Sequence, residues 1–247
     1  MNSISLVRGN IFNSSMQTIV NTVNTVGFMG AGIALEYKRR FPEMYEEYNN
    51  LCTSGQLKIG KLYLWKKEIP WVLNFPTKIH YSNPSKLEFI EKGLNKFKET
   101  YREKGITSIA FPQLGTQLGG LSWENDVQPL MYDYLHNIDI EVEIYEFDPE
   151  ADDDLYLNIR ELMKEFTEKD FKKYLNIGKK TSENILENLD VGIRSMKDFE
   201  FVKGVGEEAL KNIYKLAKLD LNNAESNKNQ KFEQVELKFN DDLSESD

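Results

Sequence analysis

The segment Asn21-Thr22-Val23-Asn24-Thr25-Val26-Gly27-Phe28-Met29-Gly30-Ala31-Gly32-Ile33-Ala34 decides the fold. It follows an apolar run, Thr18-Ile19-Val20, that reads as a buried strand, and it leads into Ile33-Ala34-Leu35-Glu36-Tyr37-Lys38, which opens a helical pattern. Between strand and helix lie two asparagines three apart and the glycines Gly27, Gly30 and Gly32. A glycine-rich strand-to-helix turn brings backbone N–H groups close to a ligand and points a helix N-terminus at it, which suits a phosphate. The spacing is neither that of a P-loop nor that of a dinucleotide-binding fingerprint. Judged by itself, the turn serves an anion site and a tightly packed βα connection equally well.

Outward from this turn, strands and helices alternate. Ser3 to Val7 reads as a first strand, and the helix from Leu35 carries Leu35, Phe41, Tyr45, Tyr48 and Leu51 as core candidates, broken or kinked at Pro42. Lys61 to Trp65 and Trp71 to Phe75 are further apolar runs, the second continuing into Pro76-Thr77-Lys78. Lys86 to Glu103 places Leu87, Ile90, Leu94, Phe97 and Tyr101 at helical spacing and stops at Gly105. Thr107 to Phe111 is a short buried strand followed by a second glycine-rich run, Pro112 to Leu121; Ser122 caps a helix to about Leu135, and Ile140 to Phe147 is a last strand. This order predicts an α/β fold with a mixed, mainly parallel sheet. Ligands of such sheets bind outside the carboxyl ends of the strands, which sets both glycine runs and Lys78 on one rim.

The 247 residues carry a formal charge of −9, which argues against a broadly basic, nucleic-acid-coating surface. The single cysteine, Cys52, excludes an internal disulfide framework and a multi-cysteine zinc site, and reads as a packed residue. With only His80 and His136, no histidine-built metal centre is expected, and no cofactor. The absence of a basic-then-apolar leader and of a long apolar run leads to the expectation of a cytoplasmic protein with no membrane partner.

Three co-ordered motifs give the chain a family resemblance: Val20 to Ala34, Asn74-Phe75-Pro76-Thr77-Lys78, and Pro112-Gln113-Leu114-Gly115-Thr116-Gln117-Leu118-Gly119-Gly120-Leu121. Residues 1–148 resemble a macrodomain of the branch that holds the DarG-type antitoxins, which remove ADP-ribose from DNA, and the terminal ADP-ribose glycohydrolases. The resemblance implies a three-layer α/β/α macrodomain with ADP-ribose in a rim cleft. It sets Asn21 and Asn24 beside the distal ribose and its loop, and Gly30, Ala31, Gly32 and Ile33 on the pyrophosphate. Gly115, Thr116, Gln117, Leu118 and Gly119 wrap the other side, with Thr77 adjoining. Asn10 and Ile11 fall at the adenine, where Asn10 replaces the usual aspartate and loses its charge assistance; Tyr145 or Phe147 supplies the adenine's aromatic neighbour.

Lys78 is the implied catalytic residue. A neutral amine can attack the anomeric carbon C1″ of the distal ribose, but an ordinary lysine is neutral only about once in several thousand molecules at neutral pH. The site must therefore lower its pKa, or the lysine must act as a cation polarising the ring. Two positions depart from the pattern: Gly119 stands where the terminal glycohydrolases carry an aspartate, and Thr116-Gln117 stands where Cys-Gly is usual. His80 reads as a residue flanking the cleft mouth, with a general acid–base role as the alternative. Tyr81, Trp65 and Trp123 are candidates for stacking on a base, against the commoner fate of core packing.

Glu146 to Asp154 holds six acidic residues in nine, and residues 149–157 read as a solvated linker. A helical domain over 158–220 follows, then a polar tail, 221–247, whose only folding signal is Phe232 to Phe239. Asn176 to Ile185 and Gly204 to Ile213 align without gaps, an internal duplication resembling tandem helix-hairpin-helix units. Arg160 to Lys218 counts 13 basic and 11 acidic residues, unlike the acidic remainder. In such units hairpin glycines and helix N-termini face DNA phosphates, which nominates Gly178, Lys179, Lys180, Gly204 and Gly206; a small helical domain for protein contacts is an equal reading. Together these features predict a hydrolase removing ADP-ribose from a DNA base, with ADP-ribosylated DNA as substrate and a DarT-like ADP-ribosyltransferase toxin as candidate partner. The helical part differs from the usual toxin-binding half of a DarG antitoxin. The alternatives are a non-catalytic ADP-ribose reader, a phosphatase of ADP-ribose 1″-phosphate, and a protein de-ADP-ribosylase.

Overall fold

The computed structural model describes residues 4–224, with side chains described as far as 219. The polar tail and its Phe232 to Phe239 segment lie outside the described residues. The chain divides into two compact units, residues 1–151 and 152–247.

The first unit is built on six strands: β1 (Ile4–Gly9), β2 (Thr18–Asn24), β3 (Tyr63–Trp65), β4 (Trp71–Lys78), β5 (Ser108–Pro112) and β6 (Glu141–Phe147). They lie in the order β1-β6-β5-β2-β4-β3, and only the β3–β4 pair is antiparallel. This is the mixed, mainly parallel sheet predicted from the alternation of elements. Consecutive strand residues feed opposite cores. Ile19, Val72 and Ala110 join Tyr37, Met44 and Tyr48 of α1 (Gly32–Arg40) and α2 (Pro42–Thr53). Val20, Leu73, Ile109 and Phe111 join Ile90, Leu94, Met131 and Leu135 of α3 (Leu87–Thr100) and α4 (Gln128–Leu135). Burial on both faces explains why these strands read as continuous apolar runs.

Local chemistry sets the breaks. The single helix expected from Leu35 is two helices, because Pro42 disfavours helical geometry at the residue before it. Phe41 accordingly leaves the helix (φ −131°, ψ 69°), and Pro42 starts α2. Strand β2 runs further than the apolar run suggests, so Asn21 and Asn24 are strand residues and not loop residues. Ser122 caps as expected, accepting from the Asn125 N–H and opening a π-helical turn, Trp123–Val127, that leads into α4.

The second unit holds α5 (Asp154–Lys164), α6 (Glu168–Leu175), α7 (Lys179–Asn188) and α8 (Glu207–Ala224), with a 3-10 helix at Met196–Phe201. Its core, including Ile159, Met163, Phe171, Leu175, Ile185, Met196, Phe199 and Ile213, is its own. The acidic run preceding it departs, at Asp153 and from residue 154 on, where α5 begins, from the solvated linker expected. Asp153 is buried, and its carboxylate accepts the Met196 N–H at 3.0 Å at the start of the 3-10 helix, where a negative charge meets unsatisfied helix N–H groups.

Candidate functional site

The carboxyl ends of β2, β4 and β5 open onto one rim of the sheet, and each delivers part of the site. From β2 comes the first glycine loop, held from within by Asn24. Its Oδ1 accepts the Val26 N–H at 3.1 Å and the Phe28 N–H at 3.2 Å, and its Nδ2 donates to the Phe28 carbonyl at 2.5 Å. The Tyr48 hydroxyl donates to the Asn24 backbone carbonyl at 2.8 Å, and burial pushes the Tyr48 phenol far above its ordinary pKa, so that it remains a donor. Asn49 Nδ2 donates to the Gly27 carbonyl at 2.9 Å. Asn24 thus fastens the loop.

Asn21 lies deeper. It is fully buried on β2, donating from Nδ2 to Asn74 Oδ1 at 3.0 Å and facing the Met29 sulfur. It underlies the loop and exposes no surface. Beyond Met29 the chain is open: Gly30, Ala31 and Gly32 are exposed, and α1 begins at Gly32 with no side-chain cap on its N-terminus. First-turn N–H groups have no partner inside a helix, so this end is suited to the diphosphate expected of Gly30, Ala31, Gly32 and Ile33.

Strand β4 ends at Lys78. The register pairs it with Asn24 across a bulge, and the Ile79 carbonyl accepts the Thr25 N–H at 3.1 Å, joining this strand end to the first loop. Lys78 Nζ reaches across to the second glycine loop and donates to the Leu118 carbonyl at 2.6 Å. Burial lowers the Lys78 pKa, which moves it toward the neutral amine; the carbonyl bond works in the opposite sense, since it is stronger with the ammonium. Thr77 beneath it is buried.

From β5 comes the second loop. Gly115 and Gly119 are buried, while Gln117 and Leu118 are exposed in a 3-10 turn spanning Gln117–Gly119. Thr116 Oγ1 donates to the Gln113 carbonyl at 2.9 Å. Leu118 Cδ1 lies 3.0 Å from where a Cβ on Gly32 would sit, so the two loops meet. Gln117 points outward and does not crowd the loop interior.

A residue missed in the sequence, Ser85, shapes this wall. Its N–H donates to the Gly119 carbonyl at 2.9 Å, and its buried hydroxyl has no hydrogen-bond partner among the described residues. A Cβ on Gly119 would fall 2.6 Å from that oxygen. The position that carries an aspartate in the related pattern is therefore closed to any side chain here while Ser85 keeps its place. No motif marks Ser85; the only hint in the sequence is its position just before α3.

At the far end of the rim, Asn10 holds the Phe12 N–H at 3.1 Å and caps the 3-10 turn Ile11–Asn13, with Ile11 buried below. Of the two aromatic candidates for the adenine, Tyr145 is buried in the core and Phe147 is half exposed beside Gly9. His80 Nδ1 accepts the Ser82 N–H at 3.3 Å, and its ring packs on Tyr81 at 4.2 Å. Trp65 is buried in one core and Trp123 packs against the other, whereas Tyr81 is 52% exposed. Cys52 is buried, and burial pushes its thiol pKa up, away from reactivity. Among the described residues no group of three His, Cys, Asp or Glu side chains is placed to hold a metal, and no helix is long and apolar enough to cross a membrane.

The second unit presents the repeated turns. Asn176 adopts the left-handed conformation at φ 55°, and Gly204, its counterpart, has φ 98°. Asparagine is among the few side chains that tolerate this region, so Asn176 can take the positive-φ place that glycine fills in the other turn. Ile177 is buried, and Gly178, Lys179 and Lys180 are exposed at the start of α7; Gly206 is exposed at the start of α8. The turns adjoin: Asn184 Nδ2 donates to the Lys203 carbonyl at 2.8 Å, and a Cβ on Gly204 would come 2.3 Å from Thr181 Oγ1.

The chain has known relatives. The Macro domain family model matches residues 20–130. The chain is 41% identical over 162 residues to the DNA ADP-ribosyl transferase–DNA ADP-ribosyl glycohydrolase fusion protein of Thermosipho africanus, covering 58% of this chain and 42% of that protein. It is similar to the solved macrodomain of Thermus aquaticus DarG, with TM-score 0.56 and 38% identity over 59% of this chain and 99% of that one. The structure of Thermosipho africanus DarTG in complex with ADP-ribose gives a TM-score of 0.55 at 39% identity, covering 60% of this chain and 43% of that chain. The chain spans about two fifths of the length of curated relatives such as the fusion protein and the DNA ADP-ribosyl glycohydrolase of Thermus aquaticus.

Proposed function

The chain belongs to the macrodomain family, and from that premise we propose that it is a hydrolase releasing ADP-ribose from an ADP-ribosylated DNA base, with Lys78 as the catalytic residue. One observation carries the reading: Lys78, its pKa lowered by burial, ends β4 beside Asn24 of the first glycine loop and reaches the Leu118 carbonyl of the second. On this reading a diphosphate on the α1 N-terminus would set the distal ribose between the loops, with C1″ toward the Lys78 amine. Gly30, Ala31, Gly32, Ile33 and residues 115–119 hold the ligand, with Asn10 and Ile11 at the adenine. Asn21, Asn24 and Thr77 act from beneath, fixing the loop and the strand end.

Two modes of Lys78 are chemically open and have opposite signs with pH. As a nucleophile, the neutral amine forms a bond to C1″ while the base leaves with the electrons of the glycosidic bond; water then hydrolyses the adduct, returning the amine and free ADP-ribose. The release rate then rises with pH through the lowered Lys78 pKa and levels off above it. As a cation polarising the ribose, Lys78 loses its effect over the same range, and the rate falls.

The test is release of ADP-ribose from an ADP-ribosylated oligonucleotide by the full chain and by Lys78→Ala. The expected loss is at least about a hundredfold, the range for a positioned proton-transfer or nucleophilic group. Retained ADP-ribose binding without release by the wild type would make the protein a reader, and full activity of Lys78→Ala would remove the lysine from the mechanism. For the helical unit, the exposed Lys179 and Lys180 beside Gly178, with Gly204 and Gly206 in the adjoining turn, support phosphate contacts. Lys179→Glu with Lys180→Glu should then weaken DNA binding and flatten its salt dependence; unchanged binding would assign the unit to protein contacts. A DarT-like transferase is the partner this reading implies.

A further inference from the structure

Five large apolar side chains around Lys78 are exposed: Val26 (43%), Phe28 (50%), Ile79 (53%), Tyr81 (52%) and Leu118 (69%). Isolated exposed apolar residues are ordinary, but a group drawn from three separate segments around one rim is informative. Three of the rings at this rim form a row. Phe28 and Tyr81 lie 4.6 Å apart between centroids, and Tyr81 and His80 lie 4.2 Å apart.

The row is held by contacts within the chain. Both backbone polar groups of Phe28 are bonded to Asn24. Its ring lies against the backbone of Gly30, so close that a Cβ there would come within 2.3 Å of it. His80 is tied to Ser82 through Nδ1, and Ile79 to Thr25 through its carbonyl. Half-exposed rings held in this way offer stacking area with little ordering cost.

We propose that Phe28, Tyr81 and His80 form a stacking platform for an unpaired nucleobase of the strand that carries the ADP-ribose. The inference rests on the proposed function and names the form of its substrate. The glycine loops and the α1 N-terminus account for the ribose and diphosphate, and Asn10 and Phe147 mark the adenine end. What lies beyond C1″ is the group being released and its neighbours, and the rings of His80 and Tyr81 belong to the segment that directly follows Lys78. A flat base with an accessible π face suits them; a modified aspartate or serine side chain has no use for them. A base inside a duplex offers no free face, so the platform selects single-stranded or locally opened DNA.

Binding and turnover separate the two claims. Affinity is measured by fluorescence anisotropy for an ADP-ribosylated single-stranded oligonucleotide, and by calorimetry for free ADP-ribose, in Lys78→Ala and in Lys78→Ala combined with Tyr81→Ala or Tyr81→Leu. The platform predicts roughly tenfold weaker oligonucleotide binding on loss of the ring, with ADP-ribose affinity unchanged and Tyr81→Leu as poor as Tyr81→Ala. Equal losses for oligonucleotide and ADP-ribose would place the rings in the ADP-ribose pocket and overturn the inference. Unchanged oligonucleotide affinity, or tighter binding to the same modification in a duplex or on a protein, would overturn it too. Failure of the wild type to release ADP-ribose would instead sink the proposed function, and the binding ratios would still decide the platform.

Discussion

The two glycine-rich loops face each other across the same rim but are held in different ways. The first is fastened by polar side chains from inside: Asn24 binds three backbone groups of the loop, and Asn49 and Tyr48 brace it from α2. The second is held mainly by close packing and by backbone bonds, Ser85 N–H to the Gly119 carbonyl and Leu121 N–H to the Gly115 carbonyl at 3.1 Å, with Lys78 and Thr116 adding one side-chain bond each, to the Leu118 and Gln113 carbonyls. A loop tied by side chains fails when a side chain is removed. A loop held by close packing fails when one is added.

That contrast can be broken from either side. The largest effect belongs to Asn24→Ala, which strands the Val26 and Phe28 amides and the Phe28 carbonyl together. Urea denaturation should show a loss of about 2–4 kcal/mol, and calorimetry a much weaker ADP-ribose affinity; a loss below about 1 kcal/mol would mean the loop does not depend on Asn24. Next comes Gly119→Asp, where overpacking against Ser85 should cost about 1–3 kcal/mol. Adding Ser85→Gly should recover most of that loss, and no recovery in the double variant would show that the strain lies elsewhere. Smallest is Gln117→Gly: an exposed side chain outside the loop interior should shift stability by no more than about 0.5 kcal/mol beyond the flexibility of glycine itself, with ADP-ribose affinity nearly unchanged.

The same contrast separates what was legible in the sequence from what was not. Glycine spacing after apolar runs located both loops and the rim, because each strand end is punctuated by residues that only a turn tolerates. The place of Lys78 on the rim was legible as the end of a buried strand, whereas its proposed role came only from the family resemblance of the surrounding motif. Ser85 was not, since a serine before a helix looks like any cap until the glycines packed on it are seen. Asn24 looked like a ligand contact, and its partners turn out to be the loop's own amides. In the acidic run, charge suggested solvent throughout, whereas Asp153 is drawn inside by the N–H of Met196, a partner 43 positions away. In the repeated turns the aligned positions Asn176 and Gly204 both take positive φ, a shared backbone feature that the differing residue types do not spell out.

The buried amide pair beneath the first loop bears on how the sheet assembles. Asn21 and Asn74 face each other in register, joined by one hydrogen bond, while Asn21 Oδ1 and Asn74 Nδ2 have no hydrogen-bond partner among the described residues. Sliding β4 by one residue would set Asn21 against Leu73 or Phe75 and turn the Asn74 amide to the opposite, apolar core. Both amides would then be orphaned, at a cost of a few kcal/mol. Because Lys78 lies four residues along the same strand, the same slip would carry its backbone about 3.3 Å away from the first loop. The pair therefore acts as a proofreading mark for assembly: chains that put Lys78 in the wrong place are also the chains that leave two amides unpaired.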